Sequence, residues 1–343
     1  MDENVLAALP ARLVPWFAAA KRDLPWRRDR EPYHVWVSEI MLQQTRVEAV
    51  VGYYDRFLKA LPDIRALADA PEDQLMKLWE GLGYYSRARN LQKAARQIME
   101  RHGGIFPRDA ADIRALAGIG DYTAGAIGSI CFEYPTAAVD GNVLRVVSRV
   151  TGSDAPIDKP ETKKKIGVDL SAVYPAGHCG DFTQSLMELG ATVCTPRGAR
   201  CGVCPLADIC AAKREDRVDA LPVKGEKRAR KIEERTVFFL EYEDKVAICR
   251  RPPRGLLASM WQLPNLVGKL EVQSALAAAA DFGVQPISIE RAVDRVHIFT
   301  HIEWQMTCYY LRCALPASDF VWATRAELSD RYALPTAFRQ FVE

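Results

Sequence analysis

The stretch Leu116-Ala117-Gly118-Ile119-Gly120-Asp121-Tyr122-Thr123-Ala124 decides how the first two-thirds of the chain is read. It lies between two segments of helical patterning. Its paired glycines permit a tight turn with positive φ and leave no side chain to bar a close approach. The second helix begins around Asp121–Tyr122, so its free N–H groups and positive dipole end face the turn, which suits a nucleic-acid phosphate. A dinucleotide-binding reading fails, because glycines at 118, 120 and 125 do not fit G-x-G-x-x-G and no strand precedes them. Taken alone, such a turn is more often a plain connection than a binding site.

Outward from the turn, apolar residues recur with helical period from Pro32 to Arg96, as in Val35-Trp36-Val37-Ser38-Glu39-Ile40-Met41-Leu42, and again through Leu186–Val193. Gly and Pro punctuate this region at short intervals. The first two-thirds therefore read as all-α. A charged stretch without apolar periodicity follows, through Lys213-Arg214-Glu215-Asp216-Arg217 and on to Lys231, and reads as an interdomain linker. Beyond it, Thr236–Glu243, Lys245–Arg250 and Ile302–Leu311 are β-branched, aromatic and partly alternating, as strands are. Ala275–Phe282 and Arg325–Leu328 are candidate helices, so this last part reads as α+β.

The chain has 343 residues, with apolar residues near half, charged residues near a quarter and a formal net charge of +2. Two or three globular domains are expected. Near-neutral charge means that nucleic-acid binding must come from local clusters. Met1-Asp2-Glu3-Asn4 is acidic where a signal peptide is basic, Pro10 breaks the following apolar stretch, and no apolar run reaches membrane-spanning length. A cytosolic chain without membrane contact is expected. Nine cysteines in a reducing compartment point to a metal site if they cluster. Cys194, Cys201, Cys204 and Cys210 do, spaced C-x6-C-x2-C-x5-C. Thiolates at this density suit zinc or an iron–sulfur cluster, and the spacing alone leaves both open.

The turn gains meaning beside Val139-Asp140-Gly141-Asn142-Val143. Together they resemble the helix-hairpin-helix, Gly/Pro-rich, Asp signature of a base-excision glycosylase superfamily, with Asp140 as its catalytic aspartate. A plain N-cap role for Asp140 is compatible with this. The cysteine spacing resembles that of the endonuclease III and MutY families, where it holds four irons and four sulfurs. That resemblance implies one 4Fe-4S cluster on the four cysteines. Endonuclease III-type members carry a lysine after the residue matching Asp121, and it forms a Schiff base with the sugar. Here the position is Tyr122, which cannot form an imine.

Trp36-Val37-Ser38-Glu39-Ile40-Met41-Leu42-Gln43-Gln44-Thr45 resembles a MutY motif. An isolated helical Glu is usually a surface residue. Apolar neighbours can instead keep Glu39 protonated, as a general acid for adenine must be. Asp140, ionised, would face the oxocarbenium-like sugar. The resemblance further places Tyr122 and Asn142 at the reacting centre. It puts Trp26, Arg27, Leu42 and Gln184 around the adenine, and Gln44, Thr45, Leu82 and Tyr84 against the opposite base. Gly118 and Gly120 would meet the DNA backbone.

Arg254–Pro264 resembles the Nudix-like domain of MutY, and Phe299-Thr300-His301 its Phe-Ser-His loop that probes 8-oxoguanine, with Thr in place of Ser. The acidic metal-binding helix of true Nudix hydrolases is missing from Gln273–Ala280. The expected architecture is multidomain. An all-α helix-hairpin-helix glycosylase domain would span 1–212, with the hairpin at about 109–130 and the iron–sulfur loop at 194–210. A linker over 213–233 would lead to an α+β Nudix-like domain over 234–343. The expected activity is monofunctional excision of adenine from double-stranded DNA carrying 8-oxoguanine:adenine or guanine:adenine mispairs. A monomeric, nucleoid-associated protein of base excision repair is implied. An endonuclease III-type glycosylase with lyase activity and a catalytically silent damage sensor are the alternatives.

Overall fold

The computed structural model describes residues 3–225 and 229–342. Met1, Asp2 and the basic residues Lys227 and Arg228, used above to read the terminus and the linker, lie outside the described residues. The chain forms two compact units, Met1–Asp69 with Arg89–Glu226, and Ala70–Ala88 with Lys227–Glu343. Among the described residues no helix is long and apolar enough to cross a membrane.

The first unit is helical, and two of its central helices are buried nearly all round. In Gly141–Thr151 every residue from Val143 to Val150 is buried, and in Pro32–Leu42 all of Val35–Met41 are. Helix Cys179–Thr192 packs against Leu9–Ala20, Asp121–Phe132 and Gly141–Thr151. Leu9, Leu13, Val143, Val147, Phe182 and Leu186 share the resulting core. The hairpin forms as its sequence requires. Asp109 caps Ala110–Ala115 by accepting from Ala111 N and Asp112 N at 2.8 and 3.1 Å. Gly118 turns the chain at φ +77°, where a Cβ would lie 2.7 Å from that of Asn90. Gly120 then leads into Asp121–Phe132 without a side-chain cap.

The second unit is α+β, as expected from its texture. Its mixed sheet contains β1 (Lys231–Tyr242), β2 (Lys245–Arg250), β3 (Trp261–Gln262), β4 (Asn265–Val267), β5 (Gln285–Ile298), β6 (Ile302–Leu315) and β7 (Val321–Thr324). The long pair β1–β6 is parallel, from Lys231↔Ile302 to Glu241↔Arg312. Both faces of its middle are covered, so Val237-Phe238-Phe239-Leu240 is apolar without alternation. Phe238 and Leu240 meet Ala275 and Ala279 of helix Val272–Asp281, while Val237 and Phe239 meet Leu328, Leu334 and Phe338.

Strand β5 lacks a sequence signature strong enough to be read. It pairs with β6 alone, is largely exposed and carries Pro286, all properties of an edge strand. Residues expected in the linker are bonded to the helical unit: Leu221 O accepts from Arg149 Nε at 2.9 Å, and Ile157 N donates to Val223 O at 3.0 Å. Residues 70–88, inside the helical pattern, group with the sheet. Asp73 accepts from Arg250 Nη2 at 2.5 Å and from Trp261 Nε1 at 3.3 Å, and Glu80 Oε1 accepts from Leu334 N at 2.8 Å.

Gly190 lets helix Cys179–Thr192 approach the start of Gly141–Thr151, for a Cβ there would sit 2.5 Å from Asn142 Cβ and 3.0 Å from Asn142 Cα. Gly190→Ala should therefore lower stability by about 1–3 kcal/mol, the usual cost of overpacking a close contact. Chemical denaturation measures it, and an unchanged midpoint would contradict this packing.

Candidate active site

The helix carrying Glu39 starts at Pro32, whose fixed φ suits a first helical position, and is capped by Glu31. The Glu31 carboxylate accepts from Tyr33 N and His34 N at 2.6 and 3.1 Å. Glu39 falls two turns into this buried helix and is only 5% exposed. Tyr122, in the first turn after the hairpin glycines, donates its hydroxyl to Glu39 Oε2 at 2.6 Å. Burial, with help from the charge of Asp140, pushes the Glu39 carboxyl up to about 7, against the opposing pull of the Tyr122 hydrogen bond and the Arg27 charge. Burial also raises the Tyr122 phenol well above its ordinary value.

Asp140 caps Gly141–Thr151. Its Oδ1 accepts from Val143 N and its Oδ2 from Asn142 Nδ2, both at 2.8 Å. Burial raises its pKa, opposed by these donors and by the Arg145 charge. The two carboxyls are therefore unequal. Asp140 has N–H donors and the Arg145 charge to support a negative charge, whereas Glu39 has one hydroxyl donor and the Arg27 charge. A single proton shared between them belongs on Glu39.

A cavity of about 160 Å³ brings together Trp26, Arg27, Glu39, Leu42, Thr45, Tyr122, Asp140, Asn142 and Gln184. Gln44 does not line it; this residue is exposed and held at φ +59°, a conformation rare outside glycine. Leu82, Tyr84, Phe299, Thr300 and His301 belong to the second unit. There the Tyr84 hydroxyl lies 2.6 Å from Thr300 Oγ1. Leu82 is buried, while Tyr84 is 45% exposed at φ +46°. Phe299 N donates to Ile302 O at 2.8 Å and closes the β5–β6 turn. Its ring stacks edgewise on Trp304, which leaves Thr300 and His301 exposed at the tip.

Three residues at the site escape a reading of the sequence alone. Arg145 donates to Asn142 Oδ1 at 2.8 Å and to the carbonyls of Gly190 and Cys194, each at 2.7 Å, joining the Asp140 cap to the cysteine loop. Arg22 and Glu188 lie behind Arg27 and are described below. Two arginines, Arg145 and Arg149, among the valines of a short helix were the available signal.

The four cysteines line one cavity with Arg149, Arg200 and Lys213. Cys194 follows helix Cys179–Thr192, Cys201 opens a 3-10 turn, and Cys210 precedes helix Ala211–Arg214. Buried Arg149 donates to Cys194 Sγ at 3.4 Å, a contact that suits a thiolate. Among the described residues no three His, Cys, Asp or Glu side chains converge on a point fit for a single metal ion.

Residues 37–170 match the HhH-GPD superfamily base excision DNA repair protein family, and residues 236–343 match the NUDIX domain. A thermostable thymine-DNA glycosylase is 28% identical with a TM-score of 0.57, over 62% of this chain and 98% of that one. An endonuclease III–DNA complex shares the helical fold at 21% identity and a TM-score of 0.54, over 63% of this chain and 98% of that one. Fold and site define a helix-hairpin-helix DNA glycosylase of base excision repair.

The adenine DNA glycosylase of Rattus norvegicus is 32% identical over 98% of this chain and 77% of its own length. That of Homo sapiens is 34% identical over 90% and 68%. The chain belongs to the adenine DNA glycosylase family, and is an enzyme that acts on DNA.

With Glu39 as the acid, base release should need its proton and should slow as pH rises through about 7. Were Asp140 to face the sugar cation, Asp140→Asn would bind the mispaired duplex yet release adenine at least ~100-fold more slowly. Single-turnover kinetics test both; wild-type rates in Asp140→Asn would remove that role.

Proposed function

We propose that the enzyme excises adenine paired with 8-oxoguanine or guanine by hydrolysis alone, leaving the abasic strand intact. The observation that carries this reading is the Tyr122–Glu39 hydrogen bond beside Asp140 in one cavity whose wall, among the described residues, holds no lysine. With Tyr122 donating to Oε2, Oε1 is left to carry the acidic proton. Glu39 protonates a ring nitrogen of the flipped adenine, which makes the base a better leaving group. Ionised Asp140 stabilises the cation on the sugar. Water completes the substitution.

The hairpin offers backbone N–H groups to a phosphate at the uncapped start of Asp121–Phe132, with Gly118 and Gly120 leaving room. Exposed Gln44 and Tyr84 suit the role of filling the space near the opposite base. Thr300 and His301 suit contact with 8-oxoguanine, Thr300 keeping the hydroxyl of the family's serine and adding a methyl group. We further propose that Cys194, Cys201, Cys204 and Cys210 hold one 4Fe-4S cluster. The four thiols around one cavity and their C-x6-C-x2-C-x5-C spacing support this reading. The four thiolates would hold the cluster, which would tie the loop together, with Arg149 as a cation beside Cys194. The enzyme would act as a monomer on double-stranded nucleoid DNA.

On an 8-oxoguanine:adenine duplex, adenine should be released and the strand should break only after alkali. Borohydride should trap little adduct in the wild type, whereas Tyr122→Lys should introduce trapping and nicking by placing an amine near the sugar. Efficient nicking by the wild type would restore the lyase alternative; failure to release adenine at all would favour a silent sensor. Purified protein should hold four iron atoms per chain, with colour and iron lost in Cys204→Ser. Stoichiometric zinc in a colourless protein would refute the cluster.

A further inference from the structure

Glu188 is a carboxylate with a side-chain exposure of 0%, and it does not line the catalytic cavity. Its Oε1 accepts from Arg22 N at 3.1 Å and Arg22 Nε at 2.8 Å. Its Oε2 accepts from Arg22 Nη2 at 2.9 Å and Arg27 Nη2 at 2.8 Å. Arg27 also donates from Nη1 to Arg22 O at 3.2 Å and lies over the Phe17 ring at 5.3 Å. Both arginines do line the cavity. One buried carboxylate thus clamps two guanidiniums that form a wall of the base pocket.

We propose that Glu188 is a positioning residue that fixes both the orientation and the net charge of this two-arginine wall, and through it the proton of Glu39. This inference rests on the general-acid reading of Glu39 given above. Two guanidiniums without a counter-charge would draw a nearby carboxyl into its ionised form. Paired with Glu188, the wall carries one net positive charge. It can hydrogen-bond a base without stripping the acid of its proton.

The groups facing Glu39 are Tyr122, Asp140 and Arg27, and the Cys131 thiol, itself raised by burial and by nearby carboxylates, is close enough to sense its charge. Those facing the clamp are Arg22, Arg27 and, through Arg22, Glu48. Burial works against ionisation of Glu188, but the hydrogen bonds from Arg22 and Arg27 outweigh it and hold its pKa down to about 2. Glu188 therefore stays charged across the range in which Glu39 titrates. Arg27 is a cation whose charge acts on Glu39, and Glu188 divides its own charge between Arg27 and Arg22.

The sign of the effect is fixed. Adenine release requires protonated Glu39, so the rate has an alkaline limb. Glu188→Gln keeps the shape, removes the counter-charge and should move that limb to lower pH by about half to one unit. Arg22→Gln leaves Glu188 to Arg27 alone, so the net charge of the wall falls to zero and the limb should move to higher pH. Glu188→Asp keeps the charge and should leave the limb in place while slowing release at every pH, because the shorter side chain cannot span both guanidiniums.

The test is the single-turnover rate of adenine release from pH 5.5 to 9 in the full-length iron-loaded protein. Thermal melting and duplex binding check that each variant is folded. A loss confined to packing would lower rates at every pH without moving the limb. Glu188→Gln and Arg22→Gln shifting the limb in opposite directions supports the proposal. Limbs that coincide with the wild type, or that move together, overturn it. Should Glu188→Gln fail to fold, the direction of the Arg22→Gln shift and the unmoved limb of Glu188→Asp decide alone. A Glu39→Gln enzyme that retains release would instead overturn the acid assignment itself.

Discussion

A carboxyl group taken out of water must be paired with cations, supplied with N–H donors or neutralised by a proton. The helical unit uses all three answers around one cavity. Glu188 is held by Arg22 and Arg27, Asp140 by the Val143 N–H and the Asn142 amide, and Glu39 by its own proton. These are not interchangeable. An ionised Glu39 could not donate to a base, and a protonated Asp140 could not face a cation. The chemistry of the site follows from which carboxyl received which partner, and that in turn follows from where each sits on its helix.

Helix Gly141–Thr151 shows how the partners are delivered. Its first residues present backbone N–H groups that Asp140 must cap, because those groups have no partner within the helix. Four residues apart on the same face stand Arg145 and Arg149, long enough to leave the helix and short of solvent. Arg145 meets the carbonyls of Gly190 and Cys194, and Arg149 meets those of Thr195 and Leu221. A guanidinium buried at this depth is tolerated only when such acceptors are fixed in advance. Arg145 thus ties the Asp140 cap to the start of the cysteine loop. A displacement at the loop would be felt at Asn142, whose amide oxygen Arg145 also holds.

What the sequence made legible was local. The glycines around residue 118, the aspartate before Gly141 and the spacing of the four cysteines each specify a backbone conformation or a ligand pattern within a few residues. Strands β1, β2 and β6 were equally plain from their β-branched and aromatic texture, although the pairing of β1 with β6 was not. What stayed hidden depended on distant partners. Strand β5 is exposed and polar, and its conformation is imposed by hydrogen bonding to β6. Glu188 lies one helical turn after Gln184, a pocket position, yet nothing near it announces two arginines from the other end of the chain. Leu82 was grouped with Tyr84 on motif alone, although it is buried and Tyr84 is not.

Residues 70–88 make the same point about domains. Composition places them in the helical region, since Glu72–Trp79 is an ordinary amphipathic helix. Their hydrogen bonds place them with the sheet. Lys77 Nζ reaches Leu328 O and Tyr332 O at 3.4 Å, and Glu80 receives Leu334 N. These are charge-assisted contacts to backbone, so they specify position with little dependence on which side chains the partner segment carries. Tyr84 is consequently referenced to the same sheet that carries the Phe299–His301 tip, and its hydroxyl meets Thr300 there. Both groups in that contact are neutral and partly exposed. Each can exchange the other for a different acceptor or donor without stranding a charge, and the net cost of such an exchange is about 1 kcal/mol. Neither hydroxyl therefore depends on the other for its solvation.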